Sequence, residues 1–234
     1  MNKLGIIGAM KVEVDLVLAE LAGIKMKTVS GIDFYEGALN DLPVVVAQCG
    51  VGKVNAAICA EVMCSIYGVT HLVNTGIAGS LCAALDIGDF VISENAMYHD
   101  FDCSFLNPAY AVGQVPDMEV YKFPADNMLL RAACEAADSV YPGHYKIGTV
   151  ASGDQFVGDK KLKDLIVKNT NALCTEMEGA AIAHTAWRNG VPFVIIRSIS
   201  DKADDSAQMD YPTFEAMAAK RCAAVTINLS KTIK

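Results

Sequence analysis

The segment Phe193–Asp201, FVIIRSISD, is a run of apolar, β-branched residues that turns polar at its C-terminal end. Such a run reads as a strand covered on both faces. Arg197, Ser198, Ser200 and Asp201 crowd its end, and in open α/β sheets ligands bind outside the carboxyl ends of strands. Alternation along an unbroken strand puts Arg197 and Asp201 on one face, roughly 13 Å apart at about 3.3 Å per residue. That is too far for an ion pair and wide enough to bracket a small ligand. Four further segments add polar groups: Glu13 after GAM, the glycines of NTGIAGS at 74–80, SGDQF at 152–156, and Glu176 and Glu178 in TEMEGAAIAH. Taken singly, each has an ordinary explanation, such as an acidic residue complementing a helix dipole. Jointly they make one site with several carboxylates and no metal. That set suits acid/base attack on a glycosidic bond, where charge develops on a sugar and on its leaving group.

The elements that must position these groups follow a repeated rhythm of strand, Gly-rich turn and helix. Strands are expected over 3–8, 26–30, 34–39, 43–49, 71–74, 89–94, 146–151 and 193–201. Helices are expected over 12–21, 53–67, 126–138, 160–168, 178–188 and from about 211 onward. Residues 76–79 read as a Gly-rich loop whose backbone N–H groups can approach a ligand, and 98–122 as an aromatic, irregular segment. The alternation implies a layered α/β fold. The strands clustered between 26 and 49 imply a mixed sheet, and no linker or repeat divides the 234 residues, so one domain over 1–234 is expected.

Composition narrows the function. Apolar residues make up 53% of the chain and the net charge is −8. The arginines are Arg131, Arg188, Arg197 and Arg221, with no basic run. A nucleic-acid binder needs a cationic footprint, so nucleic acid is not an expected partner. No apolar run has the length to span a bilayer, so no membrane partner is expected either, and the N-terminal MNKLGIIGAM reads as a first strand. The eight cysteines have no C-x-x-C spacing and read as free thiols of a reducing cytoplasm. GVGKVN at 50–55 has Asn where a dinucleotide fingerprint has its third Gly or Ala, and Ala47 and Val54 break a P-loop. The His99-Asp100-x-Asp102 run reads as a hydrogen-bonded loop, and neither a metal nor a cofactor is expected.

Taken in order, GIIGAM…E, GVGKVNAA, NTG-x-AG, SGD-x-F, EMEGAAIAH and R-S-I-S-D resemble the 5′-methylthioadenosine/S-adenosylhomocysteine nucleosidases of the nucleoside phosphorylase superfamily. The resemblance covers residues 5–220. It implies a three-layer αβα sandwich around a twisted mixed sheet, a cytoplasmic homodimer, and hydrolysis of the N-glycosidic bond of methylthioadenosine, S-adenosylhomocysteine and 5′-deoxyadenosine in methionine salvage. By that likeness Asp201 is the acid that protonates adenine N7, its pKa raised by burial. Glu13 is the base for the attacking water, and Arg197 helps hold that water and orients Glu178. Glu178 grips the ribose hydroxyls beside the Met177 backbone, Phe156 stacks on adenine, and the Val157 backbone reads its polar edge. Met10, Val51, Ala78 and Gly79 line the pocket, and Tyr211 stands near the 5′-substituent, a side that the family completes across its dimer interface. Ile77 departs from the family's serine, a hydroxyl role that is lost or falls to Ser200, and the loop 103–114 is longer than the pattern.

Three rivals remain at this stage. A phosphorylase would bring arginine forks to phosphate, and no arginine precedes Arg131 here; Lys11 and Lys53 are the nearby cations. A non-catalytic nucleoside binder would lack Glu13 or Asp201. A nucleosidase for another 5′-modified adenosine, such as aminodeoxyfutalosine, would keep all of these residues.

Overall fold

The computed structural model describes residues 2–204 and 206–233, so Met1, Asp205 and Lys234 of the expected domain lie outside the described residues. In chain order the first elements are β1 (Leu4–Gly8), α1 (Lys11–Ala19), β2 (Ala22–Val29), β3 (Ile32–Leu39), β4 (Leu42–Gln48) and α2 (Lys53–Ser65). Then come β5 (His71–Ser80), β6 (Phe90–Tyr98), β7 (Phe123–Pro124), α3 (Asn127–Val140) and β8 (Tyr145–Ser152). The chain ends with α4 (Lys160–Thr170), β9 (Cys174–Glu176), α5 (Gly179–Asn189), β10 (Phe193–Asp201) and α6 (Ala207–Ser230).

The clustered early strands form an antiparallel meander, β2–β3–β4. Its two hairpins turn on Ser30-Gly31 and Asn40-Asp41, all four with positive φ, the backbone that a two-residue hairpin matched to strand twist requires. Ile32 and Asp33 therefore belong to β3 and not to the turn. β4 then runs parallel to β1, and β1 parallel to β5, which makes the sheet mixed as expected. β5 pairs with β10 along one edge; on the other it pairs first with β1 and, at Gly79 and Ser80, with β9. Because β10 also pairs with β6, β6 with β8 and β8 with β9, the strands β5, β10, β6, β8 and β9 close on themselves. Half of the sheet is thus a small barrel and half an open meander.

Helices cover both faces. Ala56, Cys59, Ala60 and Met63 of α2 share one core with Ala180–Ala183 of α5. Val14 and Val17 of α1, Leu129 and Ala133 of α3, and Cys222, Ala223, Val225 and Leu229 of α6 form the other. The near-continuous burial of β1, β5 and β10 follows from this double cover. All eight cysteines are unbridged, four buried and four partly so.

Three local expectations are corrected. Residues 76–79 are not a loop: β5 continues through them to Ser80. Two short strands, β7 and β9, were not anticipated, since two or three residues carry no readable period. The alternation along β10 is also broken. Ile199 pairs with Ala78 but Asp201 pairs with Gly79, so Ser200 is the extra residue of a bulge. A bulge re-aims the residues beyond it, and strict alternation from Arg197 does not place Asp201.

Candidate active site

The C-terminal ends of β1, β5, β9 and β10 surround one cavity of about 180 Å³, open on one side. Glu13, Arg197, Glu178, Asp201, Met10, Val51, Ala78, Gly79, Phe156, Met177, Ser200 and Tyr211 all line it. Elements far apart in sequence thus bring nearly every residue singled out above to one place.

At one end lies Arg197, only 1% exposed. Its Nη2 donates to Glu176 Oε2 and to Asn74 Oδ1, and its Nη1 to the Ile77 carbonyl at 3.2 Å. Glu13 Oε1 stands 3.9 Å from Nη1, and Glu178 Oε2 3.7 Å from Nη2. Three buried carboxylates therefore face one guanidinium. The sequence resemblance linked Arg197 to Glu178, and that ion pair is present; the closer one is with Glu176, and Glu178 Oε1 accepts from the Gly52 N–H at 2.9 Å.

Glu13 is the third helical residue of α1, where its carboxylate reaches back over the start of the helix. Oε2 accepts from the N–H groups of Ala9 (2.7 Å) and Met10 (2.9 Å), and Oε1 from Ile77 N–H (3.0 Å). These bonds tie α1 to β5 and fix the carboxylate. Burial pushes its pKa up, against the Arg197 charge and the three N–H donors. Burial, helped by the Glu176 charge, also pushes Glu178 up to about 7. Two buried carboxylates with raised pKa values in one cavity are suited to acid/base work.

Asp201 closes the other end, 2% exposed. Its Oδ1 accepts from Ala203 N–H at 2.8 Å, and its Oδ2 from Ser200 Oγ at 2.9 Å. Burial pushes its pKa up, opposed by those two donors and reinforced by the charges of Asp210 and Asp204. This buried acid therefore keeps its proton to higher pH than a free aspartate.

The glycines of β5 have a different role from the one the sequence suggested. A Cβ on Gly76 would strike Arg197 Nη1 and Glu13 Oε1, and a Cβ on Gly79 would meet Asp201 Oδ1 at 2.8 Å. They leave room for the charged side chains of neighbouring elements. Ile77 between them turns its side chain to Ala218, Ala219, Met10, Val12 and Tyr211, and only its backbone serves the charged cluster.

The mouth is apolar. Phe156, 54% exposed, meets Tyr211 edge to face with ring centroids 5.5 Å apart, and the Tyr211 hydroxyl donates to Glu215. The Val157 side chain is buried with Leu81, Ala151 and Ile166. Val157 borders a smaller cavity, shared with Gln155, Phe156, Met177 and Asp201, beside the main one.

Neither lysine considered for a phosphate reaches the cavity lining. Lys53 Nζ pairs with Asp100 at 2.7 Å and Lys11 with Asp15 at 2.5 Å. The Lys53 N–H also donates to Asp154 of SGDQF, whose own N–H donates to Asp100, which makes the His99-Asp100-x-Asp102 run part of a hydrogen-bonded cluster. Arg197 is the only lysine or arginine among the lining residues. Sequence reasoning missed Asn74 and the part played by Glu176. The signal for Glu176 was available in its i, i+2 spacing from Glu178; Asn74 gave none, because its partner lies on β10.

Residues 3–231 match the family model of the phosphorylase superfamily. A 5′-methylthioadenosine/S-adenosylhomocysteine nucleosidase of Halalkalibacterium halodurans is 41% identical over 216 residues, 92% of this chain and 91% of its own. The crystal structure of such a nucleosidase from Neisseria meningitidis, in complex with methylthio-immucillin-A, superposes with a TM-score of 0.95 at 34% identity, covering 100% of both chains. A futalosine hydrolase mutant of Helicobacter pylori superposes at 0.94 with 30% identity, again over 100% of both.

Proposed function

The chain belongs to the phosphorylase superfamily and, within it, to the 5′-methylthioadenosine/S-adenosylhomocysteine nucleosidases, and from that premise we propose how its cavity hydrolyses an N-glycosidic bond. The substrates are methylthioadenosine and S-adenosylhomocysteine, with 5′-deoxyadenosine also accepted. One observation carries the mechanism: a buried acid with a raised pKa, Asp201, and a fixed carboxylate, Glu13, line one cavity whose sole arginine or lysine is Arg197, already bound to Glu176.

In this reading Asp201 gives its proton to adenine N7 as the bond between N9 and the ribose carbon breaks. Water placed between Glu13 and the free edge of Arg197 Nη1 attacks that carbon, and Glu13 takes the water proton. The new bond is carbon–oxygen, the broken one carbon–nitrogen, and the products are adenine and a free 5-substituted ribose. Glu178 holds the ribose hydroxyls, beside the Met177 backbone, and its charge favours the electron-poor sugar of the transition state. Phe156 covers the base, the Val157 backbone reads its polar edge, and Met10, Val51 and Tyr211 surround the 5′-group.

A substrate panel with and without phosphate, in EDTA, tests this. Free adenine and a free sugar are the expected products from methylthioadenosine, with no change on adding phosphate. Strict phosphate dependence, with a sugar-1-phosphate product, would replace hydrolysis by phosphorolysis. Aminodeoxyfutalosine belongs in the panel because a futalosine hydrolase shares the fold so closely; a higher kcat/KM for it than for methylthioadenosine would move the assignment to that substrate.

The reading includes a cytoplasmic homodimer acting in methionine salvage. No helix of the described residues is long and apolar enough to cross a membrane. Val54, Ile58 and Ile66 lie exposed on or just after α2, and Phe105 and Leu106 on the irregular loop stand fully or largely in solvent. Exposed apolar side chains of this number suit a self-complementary interface between two copies. Phe105→Glu is expected to weaken dimerisation and to raise KM for substrates with large 5′-groups more than for adenosine. Sedimentation of wild type as a fully active monomer at assay concentration would remove the dimer.

A further inference from the structure

Glu176 lies between the groups assigned to catalysis and is given no role by them. It sits at the end of β9, and every group bonded to its carboxylate is a donor. Oε1 accepts from Ser152 Oγ and from Gly179 N–H (3.0 Å). Oε2 accepts from Glu178 N–H (3.1 Å), Gly179 N–H (2.8 Å) and Arg197 Nη2. Ser152 Oγ is fixed in turn by Ala180 N–H at 2.7 Å. An acceptor-only carboxylate fits this set of donors, and it caps the first turn of α5. Asn74 completes the hold on Arg197: its Nδ2 donates to the Ile7 carbonyl at 2.9 Å and its Oδ1 accepts from Nη2.

Both Nη2 hydrogens are thereby used, one by Glu176 and one by Asn74. One Nη1 hydrogen goes to the Ile77 carbonyl. The remaining Nη1 edge faces Glu13 across 3.9 Å, beyond direct hydrogen-bond reach. We propose that Glu176 is a positioning residue for the hydrolytic reaction: it anchors Arg197 and takes up its charge, so that Glu13 and Glu178 stay 3.9 and 3.7 Å from the guanidinium and neither is drawn into hydrogen-bond contact with it. Without it, the guanidinium would close on Glu13 or Glu178 and occupy the gap in which water is placed.

The charge balance is spelled out by what faces the cluster. Arg197 comes from β10, Glu13 from α1, Glu178 from the start of α5, and Cys49, Cys174 and Cys222 from the end of β4, from β9 and from α6. Burial pushes all three thiols up, Cys222 to about 11. Burial pushes His99 down, so it is neutral near pH 7. One positive charge therefore serves three carboxylates. Removing the Glu176 charge lowers the pKa of Glu178 by ending a like-charge repulsion, and lowers that of both Glu13 and Glu178 by freeing the Arg197 charge, which already opposes the rise at each. The acid limb of kcat/KM must then move to lower pH.

This inference rests on the hydrolase reading, and the experiment separates the two. The pH dependence of methylthioadenosine hydrolysis is measured for wild type, Glu176→Gln and Glu176→Asp. If wild type releases no adenine, the functional reading fails. With wild type active, Glu176→Gln is expected to lower kcat on the order of 10²-fold through misplacement of Arg197 and to shift the acid limb down by about one pH unit. Glu176→Asp keeps the charge but is too short to span α5 and Arg197, so kcat falls with the limb in place. A Glu176→Gln enzyme that loses amplitude or thermal stability but keeps the wild-type limb overturns the proposal. Should Glu176→Gln fail to fold, Glu176→Asp decides: kcat within a few-fold of wild type overturns it, and a loss above tenfold with an unmoved limb supports it.

Discussion

Asp201→Asn is expected to lower kcat for methylthioadenosine by on the order of 10²–10⁴-fold, the usual contribution of a positioned general acid. Asparagine fills the same space and can still accept from Ala203 N–H, but it has no proton to give to the leaving base. Because that proton moves only as the bond breaks, KM should change far less than kcat. The pH profile carries a second signature. Asp201 must be protonated to act, and its pKa is raised by burial, then by the charges of Asp210 and Asp204, so wild-type activity should fall as pH rises through that value. The variant should lose this alkaline limb. Stability should move the other way. A carboxyl whose folded pKa exceeds its unfolded value binds more protons when folded, so its contribution is complete below the unfolded pKa and is lost as pH rises through the folded one. Asp201→Asn should therefore melt no lower than wild type, and relatively higher above neutral pH. Low activity together with a lower Tm at pH 8 would point to a damaged fold and not to a missing acid.

Glu13→Gln is expected to reduce kcat by a comparable factor, on the order of 10²–10⁴-fold, through the opposite end of the cavity. The carboxylate is held by the N–H groups of Ala9, Met10 and Ile77. A glutamine offers one oxygen where these donors need two, so its amide group must face either the Ala9 and Met10 donors or Ile77 N–H. Some loss of stability accompanies the loss of the base, and thermal melting measures that part separately. The kinetic signature is the acid limb: Glu13 must be ionised to take the water proton, and burial raises its pKa, so wild-type activity should fall as pH drops through that raised value. Glu178, pushed up to about 7 by burial and by the Glu176 charge, contributes to the same limb where its charge is needed at the ribose. Activity within a few-fold of wild type would remove Glu13 as the base and leave water activation to Glu178 or to solvent.

The sequence by itself determined the strand Phe193–Asp201 and the mixed α/β layering, because these rest on local signals; most of the cavity lining was legible only through the family resemblance of its motifs. Apolar runs, turn residues and acidic residues at helix starts are written within a few positions of one another, and covering helices then bury the strands in the way their composition requires. Three things were decided only by tertiary structure. The bulge at Ser200 depends on how β10 registers against Gly79 of β5, a strand more than a hundred residues away, and no period within FVIIRSISD records it. Gly76 and Gly79 look like a flexible loop in sequence, yet they lie within a strand whose neighbours need the missing side chains for room. The guanidinium of Arg197 had three carboxylates to choose from. Its close pairing with Glu176 followed once the three-residue strand β9 was wedged between β8 and β5, because a buried charge settles on the partner that long-range pairing has already fixed within hydrogen-bond reach.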